Sequence, residues 1–339
     1  MTRSYDALIL ISFGGPEGPE DVLPFLRNVA RGRNIPEARL AEVAEHYHHF
    51  GGVSPINGQC RDLLAALRPA LDEAGVTLPL YWGNRNWHPL LPDTLRQMRD
   101  DGVRRALAFV TSPFGSYSSC GQYLDDIAAA RAEVGPGAPE IDKIRHYYDH
   151  PGYIETHADA VRAALAKLSD VEHVRLVFTA HSIPSTMEQT SGPDGGRYTA
   201  MLRETASLVA AAAAPGLPWD LVWQSRSGPP HVPWLEPDIN DHLATLPAAG
   251  VEGVVVSPIG FISDHLEVVW DLDTEAAATA RDLGLRFVRA ATPGTDPRFV
   301  AMVRDLVLER LDPAFPRARL GTLPVWDACP PGGCGRRSG

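Results

Sequence analysis

Short apolar runs rich in Val, Ile and Leu alternate along this chain with longer segments of helical period, and the whole alternation occurs twice. Strands separated by helices are joined by crossovers and lie parallel, with both sheet faces covered. The pattern therefore restricts the chain to an α/β architecture with parallel sheets. The first set of strand candidates is Ala7–Phe13, Leu78–Trp82, Arg105–Thr111 and Ile141–Tyr147. The second is Val174–Ala180, Leu221–Gln224, Gly253–Ser257 and Arg286–Ala290. Helical patterns between them cover Arg39–Phe50, Arg61–Ala74, Tyr153–Lys167 and Tyr198–Ala213.

The two sets match in order. Ile9-Leu10-Ile11-Ser12-Phe13-Gly14 parallels Val177-Phe178-Thr179-Ala180-His181-Ser182. Leu80-Tyr81-Trp82-Gly83-Asn84-Arg85 parallels Leu221-Val222-Trp223-Gln224-Ser225-Arg226, and Phe109-Val110-Thr111-Ser112-Pro113-Phe114-Gly115 parallels Val254-Val255-Val256-Ser257-Pro258-Ile259-Gly260. Two similar halves joined near Asp149–Gly152 follow from this. Ligands of open α/β sheets bind beyond the carboxyl ends of the strands, so two facing halves make a cleft. Phe13 and His181 then stand at corresponding places, one on each side.

With 339 residues, 44% of them hydrophobic, the chain is long enough for one large or two medium cores. A formal charge of −11 with no Lys/Arg-rich block argues against nucleic-acid partners and suits cationic ligands. No segment approaches the roughly 18–20 apolar residues that span a bilayer, so no stable membrane insertion is expected. The run Ala7–Phe13 reads as a buried strand, not a signal peptide, because no small-residue cleavage site follows it. A cytoplasmic location is the expectation, with the four cysteines reduced or metal-bound.

Two constellations carry chemistry. His181 follows a strand directly, where an imidazole serves as a proton acceptor near neutral pH or as a ligand for a borderline metal. The alternative is a structural loop histidine. The second constellation runs from Ser263 to Glu275, with Ser263 or Asp264 as helix cap. Asp264, Glu267, Asp271 and Glu275 are three, four and four apart and share one helix face. Such a face is usually just solvated. Here the helix begins at a strand's carboxyl end, and like charges four apart repel unless a cation sits among them. The loop Gly14-Gly15-Pro16-Glu17-Gly18 lacks the dinucleotide-binding glycine pattern, and Glu17 repels a pyrophosphate.

Over nearly its full length the chain resembles the ferrochelatases. The resemblance rests on Leu10-Ile11-Ser12-Phe13-Gly14-Gly15-Pro16, Gly51-Gly52-Val53-Ser54-Pro55-Ile56-Asn57, Thr179-Ala180-His181-Ser182-Ile183-Pro184 and Gly260-Phe261-Ile262-Ser263-Asp264-His265-Leu266-Glu267. It implies a chelatase-like α/β fold of two similar Rossmann-like domains with a porphyrin cleft between them. The expected division is 1–150 for the porphyrin side, 151–295 for the half with His181 and the acidic helix, and 296–339 for a C-terminal helix and tail packing back on the first domain. It implies that His181 and Glu267 are catalytic and handle the iron, with Asp271 and Glu275 continuing a metal path. It places Ser54 and Tyr123 on the porphyrin side, contacting its carboxylates, and Phe13, facing His181, as apolar bulk against the macrocycle; Arg27, Arg31, Arg33, His46 and Tyr47 are also available as substrate-binding partners for carboxylates. Some relatives have a tyrosine at the place of Phe13 that can bind iron axially; a phenyl ring cannot.

The resemblance also implies a reaction and its partners. Ferrous iron enters a porphyrin with release of two protons, as a step of haem biosynthesis. The chain looks like the Gram-positive branch that uses coproporphyrin III, with transient contact to neighbouring haem-pathway enzymes. Alternatives are protoporphyrin IX, another metal or tetrapyrrole, and, outside catalysis, a haem or porphyrin carrier. Some ferrochelatases join a cysteine at the position matching Cys120 to three in a C-terminal tail around a [2Fe–2S] cluster. This tail has only Cys329 and Cys334, so a complete site requires Cys60 as its fourth ligand.

Overall fold

The computed structural model describes residues 4–32, 35–328, 330 and 334. The first sheet holds β1 (Ala7–Ser12), β2 (Leu80–Asn84), β3 (Arg105–Val110) and β4 (Glu140–Lys143), in the order β2-β1-β3-β4. The second holds β5 (Val174–His181), β6 (Trp219–Gln224), β7 (Gly253–Ser257) and β8 (Arg286–Arg289), in the order β6-β5-β7-β8. Every pairing is parallel. The two halves thus have one topology, as the twofold pattern requires.

Their registers do not coincide. In the first sheet Ser12 lies opposite Asn84. The sequence match equates these with Ala180 and Ser225, yet Ala180 lies opposite Trp223. The architecture is repeated, while the β5–β6 ladder has slid by two residues relative to β1–β2, an even shift that keeps each side chain of that pair on its own face.

Helices cover both faces of each sheet. They are α1 (Val22–Val29), α2 (Glu37–His49), α3 (Pro55–Glu73), α4 (Leu91–Asp100), α5 (Gln122–Val134), α6 (Pro151–Ala166), α7 (Ser185–Gln189), α8 (Arg197–Ala213), α9 (Ile239–Thr245), α10 (Leu266–Val269), α11 (Ala277–Asp282) and α12 (Pro297–Leu311). All six residues of β1 are buried. Ala7, Ile9 and Ile11 pack with Leu91, Leu95 and Met98 of α4 and Ile127 of α5. Leu8 and Leu10 face the opposite way, into a core shared with Leu63 and Leu67 of α3. Both-sided burial explains why these strands read as unbroken apolar runs.

That second core also takes in Leu176 and Phe178 of β5, so one apolar cluster spans both sheets. Aromatic rings from the connecting segment fill its centre. Phe109 stacks on Tyr147 at 5.0 Å, and Tyr147 meets Tyr153 edge-on at 5.8 Å. The Tyr147 hydroxyl donates to the Val110 carbonyl at the end of β3 (2.9 Å). The Tyr153 hydroxyl donates to the Ile259 carbonyl just beyond β7 (2.7 Å). The two strand ends that line the cleft are therefore fixed to one buried hinge of tyrosines. Helix α12 packs on α6 and α3, and Glu309 on it forms a fully buried fork with Arg145 at 2.8 Å on both arms. No helix among the described residues is long and apolar enough to cross a membrane.

Two element boundaries differ from the sequence reading by more than two residues. Helix α3 begins at Pro55, not Arg61, since proline at the first helical position loses no hydrogen bond. The strand expected over Ile141–Tyr147 stops at Lys143, and the next residues turn their aromatics into the core.

Candidate active site

His181 is the last residue of β5 and pairs with Gln224 across the ladder. Its backbone carbonyl accepts from the buried Tyr198 hydroxyl at 2.9 Å. Its ring Nδ1 lies against the Ser182 carbonyl, an acceptor only, so Nδ1 carries the hydrogen and Nε2 presents a lone pair. Nε2 stands 3.8 Å from Glu267 Oε2. That is too long for a hydrogen bond, and it is within the roughly 4 Å that two ligands at about 2.0–2.2 Å from one divalent cation can span.

Glu267 sits in the first turn of α10, two residues beyond the cap. The cap is His265, not Ser263 or Asp264 as expected: its Nδ1 accepts from the Val268 amide at 3.4 Å. Asp264 is drawn elsewhere, held by Arg289 at 2.9 Å and by its own amide donating to Gln59 Oε1 at 2.8 Å. It therefore lies outside the acidic row. Burial holds the His265 imidazole down at about 4, helped by His181, so the cap stays neutral.

After α10 the chain widens into a π-helical turn, Trp270–Ala276. The expected continuous α-helical face is thus replaced by a bulged one, yet a spacing of four still brings Glu267 and Asp271 together. Desolvation pushes the Glu267 carboxyl up to about 7, although 43% of its side chain remains exposed to the cleft. Asp271 also rises to about 7, through desolvation first and the charge of Glu267 second, while the Ser225 hydroxyl opposes the rise. Two like carboxylates in close reach share a proton near neutral pH. Glu275 is exposed and accepts from the Trp270 indole at 2.9 Å. Among the described residues no three His, Cys, Asp or Glu are gathered tightly enough to hold an ion by themselves. The row therefore offers a carboxylate pair followed by an outer acid, not a closed cage.

The other wall comes from the first half. Phe13 follows β1 and meets Phe25 of α1 edge-on at 6.1 Å, and Phe25 packs on Tyr47 of α2 at 5.9 Å. The Tyr47 hydroxyl is raised by burial and then by the charges of Glu267 and Asp271, which puts this tyrosine beside the acid pair. Buried Asn57 and Asn84 pin the loop after β1: Asn57 donates to the carbonyls of Gly15 and His88, both at 3.2 Å. Asn84 donates to Asn57 at 3.2 Å. Ser54 is buried against Gly15, where any side chain on Gly15 collides with it. Arg31 is exposed and donates to Asn28 at 2.7 Å. Tyr123 is not an open cleft residue: it is buried, its hydroxyl 3.2 Å from Thr111, and the Arg85 guanidinium covers its ring at 4.6 Å. Arg33, one of the cations available to carboxylates, lies outside the described residues.

Among the described residues, Cys60, Cys120 and Cys334 do not form one group of three. Cys60 lies mid-helix in α3, its thiol bonded to Ser12 and pushed up to about 11 by burial. Cys120 is buried in the π-helical turn Tyr117–Gly121 beside His146, and Cys334 is buried as well. Cys329 lies outside the described residues. Cys60 is not gathered with Cys120 and Cys334. Among the described residues, a four-cysteine [2Fe–2S] site that includes Cys60 does not fit this arrangement, in which Cys60 is turned to Ser12 and is not gathered with Cys120 and Cys334.

Four residues at the site escaped the sequence reading: Trp270, Ser225, Arg85 and Gln59. Ser225 lies one residue past β6 with φ at +60° and bonds Asp271. Its place in the second-half match to Asn84 marked a strand end, but nothing in the pattern announced its backbone.

The chain matches the ferrochelatase family model over residues 5–311. A Nocardia farcinica protein named coproporphyrin III ferrochelatase is 58% identical, covering 94% of this chain and 92% of the relative. Proteins of the same name from Mycobacteroides abscessus and Streptomyces griseus are each 54% identical, over 94% and 98% of this chain and 93% and 94% of theirs. The solved structure of SirB from Bacillus subtilis with Fe³⁺ superposes with a TM-score of 0.54 at 11% identity, covering 92% of this chain and 99% of that one, which bears on the fold. With strand-end histidine, acid row and paired parallel sheets in place, the chain belongs to the ferrochelatase family, metal chelatases of the lyase class.

Proposed function

We propose that this enzyme inserts ferrous iron into coproporphyrin III, releasing two protons and iron-coproporphyrin III, and that His181 and Glu267 perform the step. The observation that carries the reading is the His181 Nε2 lone pair facing Glu267 across 3.8 Å at a strand's carboxyl end. The relatives named for coproporphyrin III support the substrate. Ferrous iron is the substrate metal, and nothing in the step transfers an electron.

Each pyrrole N–H must lose its proton as the metal enters. His181 Nε2 accepts one such proton, because its Nδ1–H is already committed to the Ser182 carbonyl. The Glu267–Asp271 pair, poised near 7, takes up positive charge as cation or proton without holding either firmly. Glu275, exposed at the outer end, continues this row toward solvent. Weak oxygen ligands let hydrated iron shed water stepwise instead of trapping it. Phe13, backed by Phe25, supplies an apolar wall for the macrocycle face. It has no oxygen for the iron, so that side remains free of protein coordination. Propionates of the substrate fall to Arg31 and Tyr47 on the first half, while Ser54 and Tyr123 support the wall from within.

This reading includes the division 1–150, 151–295 and 296–339, action in the cytoplasm, and transient contact with enzymes that supply and consume the porphyrin. Four propionates make the substrate water-soluble, which accords with delivery without a membrane. The test is competition between coproporphyrin III and protoporphyrin IX at equal concentration with anaerobic ferrous iron, followed by absorption spectroscopy. A clear preference for coproporphyrin III is expected; preference for protoporphyrin IX overturns the substrate.

A further inference from the structure

Trp270 stands in the chain between Glu267 and Asp271 and opens the π-helical turn. Its indole is gripped from the other half of the molecule. The His46 ring stacks on it with centroids 4.0 Å apart and planes within 7°. His49 and Phe50 meet it edge-on at 5.6 and 6.3 Å. On its far edge the indole N–H donates to Glu275 at 2.9 Å. His46 and Trp270 are both only half-buried, so their contact is not core filling.

The gripping helix turn is itself tied to the apolar wall. Tyr47, next to His46, packs on Phe25, and Phe25 on Phe13. Immediately afterwards the chain reverses through Gly51 and Gly52, with φ at +74° and +77°. Gly52 runs so close to Pro19 that no side chain fits. The end of α2 is therefore a fixed bracket between the Phe13 wall and the acid row. A π-helical turn is a rare, less favourable geometry that persists where its surroundings hold it.

We infer that His46 is a positioning residue for metal insertion: acting through Trp270, it sets the π-helical turn so that Glu267 and Asp271 stand together beside His181. This rests on the ferrochelatase reading above. The rival role for an imidazole here is to hydrogen-bond a substrate carboxylate, and the two roles separate by substitution. A phenyl ring keeps the stack and removes the hydrogen bond.

The experiment uses His46→Ala, His46→Phe, Trp270→Ala and the double alanine variant of the full chain. Porphyrin affinity is read without iron from quenching of porphyrin fluorescence, and initial rates are read across a ferrous series at saturating porphyrin. His46→Ala and Trp270→Ala each lower kcat/KM for iron about fivefold to tenfold, with porphyrin affinity unchanged. His46→Phe restores the parent value to within about twofold, and the double variant is no worse than the weaker single. Loss of porphyrin affinity in His46→Ala, failure of His46→Phe to rescue despite native circular dichroism, or additive losses each overturn the inference. If the parent protein does not metallate porphyrin at all, the functional reading fails; if it does and the variants equal it, only the clasp fails.

Discussion

Ser225 donates its hydroxyl to Asp271 from a left-handed backbone, φ +60°, one residue beyond the strand that pairs with His181. A non-glycine residue in that region costs about 1–2 kcal/mol, and such strain persists where the surrounding structure fixes it, often at functional sites. Neighbouring Gln224 is buried and reaches the same carboxylate at 3.4 Å. Ser225→Gly removes the hydroxyl and the strain together. The expected variant is as stable as the parent or about 1 kcal/mol more so, with kcat/KM for ferrous iron lowered about tenfold. Thermal melts and steady-state rates check this; full activity in the glycine variant means the hydroxyl does not serve Asp271.

The raised carboxyls of Glu267 and Asp271 make opposite predictions for rate and stability. Both are lifted to about 7 by desolvation, above their unfolded values near 4. The folded protein therefore binds more protons than the unfolded chain between about pH 4.5 and 7. Stability from this source is complete below that window and falls as pH rises through it. Iron capture needs the ionised form and rises over the same range. Glu267→Gln with Asp271→Asn flattens the stability change, and urea melts across the window show whether it does.

Arg145 and Glu309 are joined by a two-armed ion pair, each side chain about 2% exposed or less. Breaking a buried pair strands the remaining charge, at a cost of about 3–5 kcal/mol. Glu309→Ala is expected to lower stability by that amount while leaving iron KM unchanged in the cold, since α12 lies behind the cleft. A variant that melts like the parent contradicts the assignment of this pair as a structural tie.

Cys60 gives a spectroscopic prediction. Its thiol is bonded to Ser12 within α3, and burial keeps it protonated. Cys60→Ser leaves the visible spectrum, iron content and acid-labile sulfide of anaerobically purified protein as in the parent. Any loss of those signals in the serine variant restores Cys60 as a ligand.

The residues show why part of this was legible beforehand. Apolar runs buried on both faces announce themselves, so β1, β3, β5 and β7 fell where the pattern put them. Their doubled order gave both sheets the same topology. His181 and Glu267 were marked by strand-end position and by the resemblance of their flanking residues. What period cannot report is where a helix departs from its ideal. The π-helical turn Trp270–Ala276 and the cap at His265 reflect contacts made from α2 and from Arg289, far away in sequence. Nor does spacing reveal that α3 turns Cys60 toward Ser12. Period likewise does not reveal that Trp270 is a stacking partner, because the imidazole on it belongs to a segment more than two hundred residues earlier.

The relation of His181 to Glu267 yields the most direct test. Both side chains are partly exposed, 36% and 43%, so truncation removes little packing and each alanine variant is expected to fold. In the proposed step the histidine takes a pyrrole proton while the carboxylate receives positive charge, and neither event proceeds without the other. Groups that act as a unit give losses that do not add. His181→Ala and Glu267→Ala should each remove all but about one part in a hundred or less of turnover, in the range that a general base contributes. The double variant should then match the worse single, not the product of the two. His181→Asn sharpens the comparison, because its amide is polar yet lacks a basic nitrogen. It is expected to bind porphyrin as the parent does and to turn over no faster than alanine. Losses that multiply across the double variant separate the two roles, and near-normal turnover in either single variant removes that residue from the step.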